Sequence, residues 1–93
     1  MARIRKDEVL NFIERRIENA NQWIRAAFYS DPDVVAILDK LYERWYKSSQ
    51  EGEPIDYAND EELRMLFDAA KRYARMSPYE AYALVSRRME ERE

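Results

Sequence analysis

Chain breakers are confined to three short stretches of this 93-residue sequence. SDPDVV (30–35), SSQEGEPIDYAN (48–59) and the SPYE that starts at Ser77 hold all three prolines and the only glycine, Gly52. Average usage is about 7% Gly and 5% Pro, so this chain has few places to turn and must fill the intervals with long regular segments. The spacing of apolar residues identifies those segments as helices. Val9, Ile13, Ile17, Ala20, Ile24 and Phe28 recur every three or four positions, the period of one helix face. Leu10, Phe12 and Trp23 widen that stripe, and Asp7 and Glu8 sit where acids favour the positive end of a helix dipole. A helix over 7–29 is expected.

Asp31 can cap the next helix, with Pro32 at its first position where a missing N–H does no harm; Ser30 is the alternative cap. Val34, Leu38, Leu41 and Trp45 carry its stripe, over 31–48. A connecting loop over 48–59 follows, with Ile55 and Tyr57 spaced to tuck inward. Asn59 or Asp60 caps a helix over 60–76, whose inner face reads Leu63, Leu66, Phe67, Ala70, Tyr73 and Ala74. Ser77-Pro78-Tyr79-Glu80 is a capping box opening a helix over 78–92. That helix offers Ala81, Leu84, Val85 and either Arg88 or Met89 to the interior. No alternating strand pattern occurs. The expected fold is all-α: a single domain (1–93) built as a four-helix bundle or compact helical array, with residues 1–6 as a flexible basic arm.

Residue types exclude several chemistries. With no histidine and no cysteine, the chain has no disulfide, no thiol nucleophile and no imidazole for acid–base work. One glycine cannot build a phosphate-cradling loop. Asp56, Asp60, Glu61 and Glu62 cluster around one helix start, but their spacing matches no calcium loop and first-turn acids serve helix stability. Ser30 and Ser77 read as caps. The expectation is therefore no catalytic residue, no metal site, no cofactor and no enzymatic activity. No run of about 18 apolar residues occurs, and MARIRKDEV lacks the apolar stretch of a signal peptide, so a soluble, cytoplasmic protein is expected.

Charge gives a weak hint of nucleic acid. The net charge is −3, and residues 1–29 carry six basic against four acidic side chains. Arg3, Arg5 and Lys6 form the basic arm and the candidate nucleic-acid contact, though Asp7 and Glu8 follow at once. A dedicated binder usually shows a larger basic excess, because phosphate neutralisation supplies most of its affinity.

YERWYK (42–47) looks at first like a ligand grip. On a helix, Tyr42, Trp45 and Tyr46 share a face with Val34, Leu38 and Leu41, while Glu43, Arg44 and Lys47 point elsewhere. The rings are expected inward. Seven tyrosines and two tryptophans nevertheless exceed what a core this size accepts, and surplus Tyr and Trp anchor protein interfaces. Tyr79 and Tyr82, with Ala81 and Ala83 beside Tyr82, are the leading candidates for a partner-binding or homodimer face, and Tyr46 is a third. The adjacent pairs Arg15-Arg16 and Arg87-Arg88 read as solvated surface.

FDAAKRYARMSPYEA (67–81), with Tyr46-Lys47 and Ile55-Asp56-Tyr57, resembles the third-to-fourth helix junction of acyl-CoA-binding proteins. The resemblance implies a four-helix fold and an acyl-CoA ligand. Two family features are absent, a lysine late in the loop before the third helix and a tyrosine where Val85 stands, and the first helix is longer.

Caps, stripes and turns agree with one another, and no polar residue visibly breaks a core stripe. Such consistency fits a chain selected for folding, engineered or de novo designed, with no evolved activity. The alternative is a small interaction adaptor of thermophile or viral type, which twelve Arg against four Lys also suits.

Overall fold

The computed structural model describes residues 3–91, so the start of the expected arm and the last position of the expected final helix lie outside the described residues. The described chain is all-α and 79% helical. Its α-helices are α1 (Lys6–Ile13), α2 (Gln22–Tyr29), α3 (Pro32–Lys47), α4 (Asp60–Ala74) and α5 (Pro78–Glu91).

The expected 7–29 helix is two helices with a break between them. Glu14–Glu18 form a π-helical turn, closed by the Asn19 N–H on the Glu14 carbonyl at 3.2 Å. Asn21 then leaves helical geometry (φ −57°, ψ 146°) and its side chain accepts the Trp23 N–H at 2.8 Å, capping α2. Asparagine competes with the backbone for hydrogen bonds and so favours caps over helix interiors; Asn19 and Asn21 together end one helix and start the next. Arg25 reaches back to the freed carbonyls of Glu18 and Ala20 at 3.2 and 3.0 Å. The apolar period survives the break because Val9, Ile17, Ile24 and Phe28 are all buried, which is why periodicity alone does not reveal it.

The other boundaries follow their caps. Asp31 accepts the Asp33 and Val34 N–H groups at 2.8 and 3.1 Å, with Pro32 at the first helical position. Asn59 and Glu62 form a reciprocal capping box on α4, at 2.8 and 3.0 Å. Ser77 and Glu80 do the same on α5, at 3.1 and 3.0 Å. Within the expected 48–59 loop, Pro54–Tyr57 make a 3-10 turn that packs on α3. Ile55 tucks against the core as its spacing suggests, and the Tyr57 hydroxyl bonds Ser48 and the Glu51 carbonyl. Gly52 has φ +72°, and a Cβ there would run into the Asp56 carboxylate.

Helix α4 is the hub, packing against α1, α2 and α3, while α5 lies chiefly along α2. Phe28, Ile17, Leu41, Leu66, Val9 and Val34 form the fully buried centre. Phe12 of α1 meets Phe67 of α4 edge-to-face at 5.2 Å, and the small buried Ala27 and Ala81 let α2 and α5 approach closely.

Candidate functional site

Exposed aromatic surface is the first place to look for recognition, because large apolar side chains left in water need a reason. On α5, Ala81 and Val85 face inward and are buried. Tyr79, Tyr82, Ser86 and Met89 follow at spacings of three, four and three on the adjoining side, the rhythm of a helix–helix seam. Tyr79 is 77% exposed and Met89 65%. Tyr82 stands beside Trp23 of α2, edge-to-face at 4.8 Å, so α2 extends this surface. The structure thus brings Tyr79 and Tyr82 onto one face and adds Trp23.

Tyr46 lies elsewhere, on α3, and the inward reading of YERWYK is corrected there. Tyr42 and Tyr46 are 60% and 66% exposed. Trp45 is half-buried against the loop and donates its indole N–H to the Gly52 carbonyl at 3.0 Å. The buried line of α3 is Val34, Ile37 and Leu41. Its next position is Arg44, so that face rotates the tyrosines outward and carries a charge to the bundle edge. Arg44 does not point away from the protein: it forms a two-pronged ion pair with Glu62, at 2.6 and 2.8 Å, and reaches the Tyr57 carbonyl at 3.1 Å.

Two buried acids contradict the expectation that no polar residue breaks the core. Glu62 is 8% exposed, and the Arg44 hydrogen bonds hold its carboxyl below its ordinary value, against the opposing effect of burial. Asp31 is 5% exposed. One of its oxygens caps α3; the other accepts from the Tyr73 hydroxyl and from Arg72 at 3.3 Å. Burial alone would raise the Asp31 carboxyl, but Tyr73, the Val34 and Asp33 N–H groups and Arg72 bring it below its ordinary value. Burial and the bond to Asp31 push the Tyr73 hydroxyl up. Arg88, which the sequence offers both as an alternative inward position and as part of a solvated pair, completes the cluster: it donates to the Ala27 carbonyl at 2.7 Å, to Ser30 Oγ at 2.8 Å and to the Tyr73 oxygen. Among the described residues every buried side-chain nitrogen and oxygen has a partner. A fully paired network of this kind locks four helices together. The sequence signal for it was Arg88 itself, a cation on a core stripe.

The basic arm is pinned along the bundle. Ile4 is buried. Arg3 pairs with Asp60 at 2.9 Å, Arg5 with Asp7 at 3.5 Å and Lys6 with Asp56. Each cation of the candidate nucleic-acid contact is therefore bonded to an acid of the same chain. Among the described residues, no group of three or more acids is placed to hold a metal ion and no helix is long and apolar enough to cross a membrane.

An apolar cleft of about 240 Å³ opens between α1, α2, α3 and the 3-10 turn, with Phe28 and Leu66 in its lining. Glu53 and Tyr29 also border it. Tyr29 donates its hydroxyl to Glu18 at the end of the π turn; burial and that bond push the hydroxyl well up from its ordinary value. Comparison with protein-family models, curated proteins and solved structures returns no match for this chain.

Proposed function

We propose that this chain is a non-catalytic interaction module that pairs with a second copy of itself through the outer face of α5. The observation that carries the reading is the stripe of Tyr79, Tyr82, Ser86 and Met89, backed by Trp23, whose large side chains stay in water although α5 has a separate inward face. A seam with this spacing fits a like helix in antiparallel orientation. Tyr and Met are also the residue types enriched at interface centres.

Tyr42 and Tyr46 support a second contact surface on α3 for a different protein, because they share one exposed side at a spacing of four residues. The paired state of Arg3, Arg5 and Lys6 lends nothing to nucleic-acid binding. A chain made for folding alone has no use for the π turn or the open cleft, so those irregularities favour the adaptor reading over the fold-only one. A soluble, cytoplasmic setting belongs to the same proposal.

Sedimentation velocity over a concentration series tests it. A species of twice the chain mass is expected, and Tyr82→Glu or Met89→Glu should return it to the monomer with unchanged helical circular dichroism. A monomer at every concentration removes the self-association reading.

A further inference from the structure

The cleft beside the helix break owes its existence to that break. On one continuous helix Leu10 and Phe28, eighteen residues apart, would stand about 27 Å from each other at 1.5 Å per residue. Instead both line a single cavity of about 240 Å³, because the π turn and the Asn21 cap fold α2 back toward α1. Single π turns inside helices occur frequently at functional sites. Leu10, Ile13, Phe28, Leu38, Ile55 and Leu66 make the lining almost wholly hydrocarbon. A cavity of about 150 Å³ lined by such residues takes up benzene, so this cleft has room for a somewhat larger ring system.

We infer that the cleft is a binding site for a small neutral or cationic aromatic molecule, of single- or fused-ring size. Its borders set the charge preference. Glu53 lies in the wall, and Glu18 is bonded to the wall residue Tyr29. The nearby cation Lys6 is held by Asp56. The rim is therefore net negative and repels carboxylates, fatty acids and acyl-CoA thioesters, whereas an uncharged ring or a ring bearing an ammonium group is accepted. The floor offers no buried polar atom without a partner, so recognition is by shape and apolar contact, with the Glu53 end fixing orientation. The 3-10 turn that supplies Ile55 and Pro54 is held by Lys6–Asp56 on α1 and by Trp45–Gly52 on α3, so the wall is in place before any ligand arrives.

Methyl-resolved NMR of the full chain tests this, with indole, tryptamine and indole-3-acetate as probes. Indole should give saturable shifts at the methyls of Leu10, Ile13, Leu38, Ile55 and Leu66, and none at Val34 or Val85. Tryptamine should bind more tightly than indole, and indole-3-acetate more weakly. Ile13→Phe should fill the cleft and abolish the shifts; Glu53→Gln, on the exposed rim, should erase the preference for tryptamine while leaving indole bound. Absence of saturable shifts with indole, or shifts that persist in Ile13→Phe, overturns the site. Equal binding of tryptamine and indole-3-acetate overturns its charge preference. Because α5 is not involved, loss of the dimer in Tyr82→Glu leaves this result unaffected.

Discussion

Asp31 and Glu62 are both acids at the start of a helix, both nearly buried and both bonded to an arginine, yet they do different amounts of structural work. Glu62 joins two elements: it closes the capping box with Asn59 at the start of α4 and pairs with Arg44 near the end of α3. Its arginine stays 41% exposed, so water shares the charge. Asp31 joins four. It caps α3, accepts from Tyr73 and Arg72 of α4, and lies 3.9 Å from Arg88 of α5, which in turn holds the Ala27 carbonyl and Ser30 hydroxyl at the end of α2. Arg88 is 21% exposed. The local chemistry of the two acids is alike, and Arg72 beside Asp31 is 58% exposed, so what separates them is how many distant partners converge.

That comparison ranks the consequences of removing each acid. Asp31→Ala takes away a helix cap and leaves Arg88 and Tyr73 buried without their acid. A loss of about 3–4 kcal/mol is expected, read as the shift in urea midpoint at constant slope. Asp31→Asn keeps the capping oxygen but sets an NH2 donor where Tyr73 and Arg72 donate, so it should fall between wild type and Asp31→Ala. Glu62→Ala removes one arm of a cap and a pair whose arginine can turn to water, so about 2 kcal/mol is expected. Equal losses for the two alanine variants would show that the number of converging partners does not separate the two networks.

Acid sharpens the same contrast. The Asp31 and Glu62 carboxyls both lie below their ordinary values of 3.8 and 4.5 in the folded protein. The folded state therefore binds fewer protons than the unfolded chain as the pH falls through that range. Their contribution is complete above the ordinary values and is lost as the pH drops through the lowered ones. The urea midpoint should hold from neutral pH to the carboxylate range and then decline. Asp31→Asn and Glu62→Gln should each flatten that decline. A midpoint that rises on acidification would contradict the sign of both shifts.

Caps were legible in the sequence because their chemistry is local: Asp31-Pro32, Asn59 to Glu62 and Ser77 to Glu80 each declare themselves within four residues. The helix break at Asn19–Asn21 was not, since the apolar period runs through it and only two asparagines mark it. The tyrosines of α3 were misplaced for a related reason. Leu38 and Ile37 both suit a core, and choosing Leu38 rotated the stripe enough to bury Tyr42 and Tyr46 on paper; the structure buries Ile37 and exposes them. The Arg88 cluster needed partners up to 61 residues away in sequence, a distance no spacing rule reaches. Tyr79 and Tyr82 stay exposed because α5 has too few apolar positions to bury two faces.

A purely local cap gives the next smaller effect. Ser77 Oγ accepts the Glu80 N–H at an exposed turn and no distant residue bonds to either side chain. Ser77→Ala should cost about 1 kcal/mol, seen as a fall of roughly 4–8 °C in the calorimetric midpoint for a domain of this size. A loss matching Glu62→Ala would mean that the α4–α5 turn carries tertiary strain beyond its cap.

The basic arm marks the lower end of the scale. Arg3 meets Asp60 at 2.9 Å with both side chains mostly in water, 82% and 58% exposed, and such pairs contribute little because solvent screens them and two long side chains must be held in one geometry. Arg3→Ala should therefore leave the thermal midpoint within the scatter of replicate scans, at low and at high salt alike. Lys6→Ala should have a slightly larger effect, since Asp56 also accepts the Glu53 N–H and anchors the 3-10 turn. What holds the arm is Ile4, which is buried. Ile4→Ser should release residues 3–5, raising amide exchange there and at Asp60 while the centre of α4 stays protected. If Arg3→Ala instead matches Ile4→Ser in exchange, ion pairing rather than apolar burial fixes the arm, and the scale that runs from the many-partnered Asp31 down to single exposed pairs fails at its lower end.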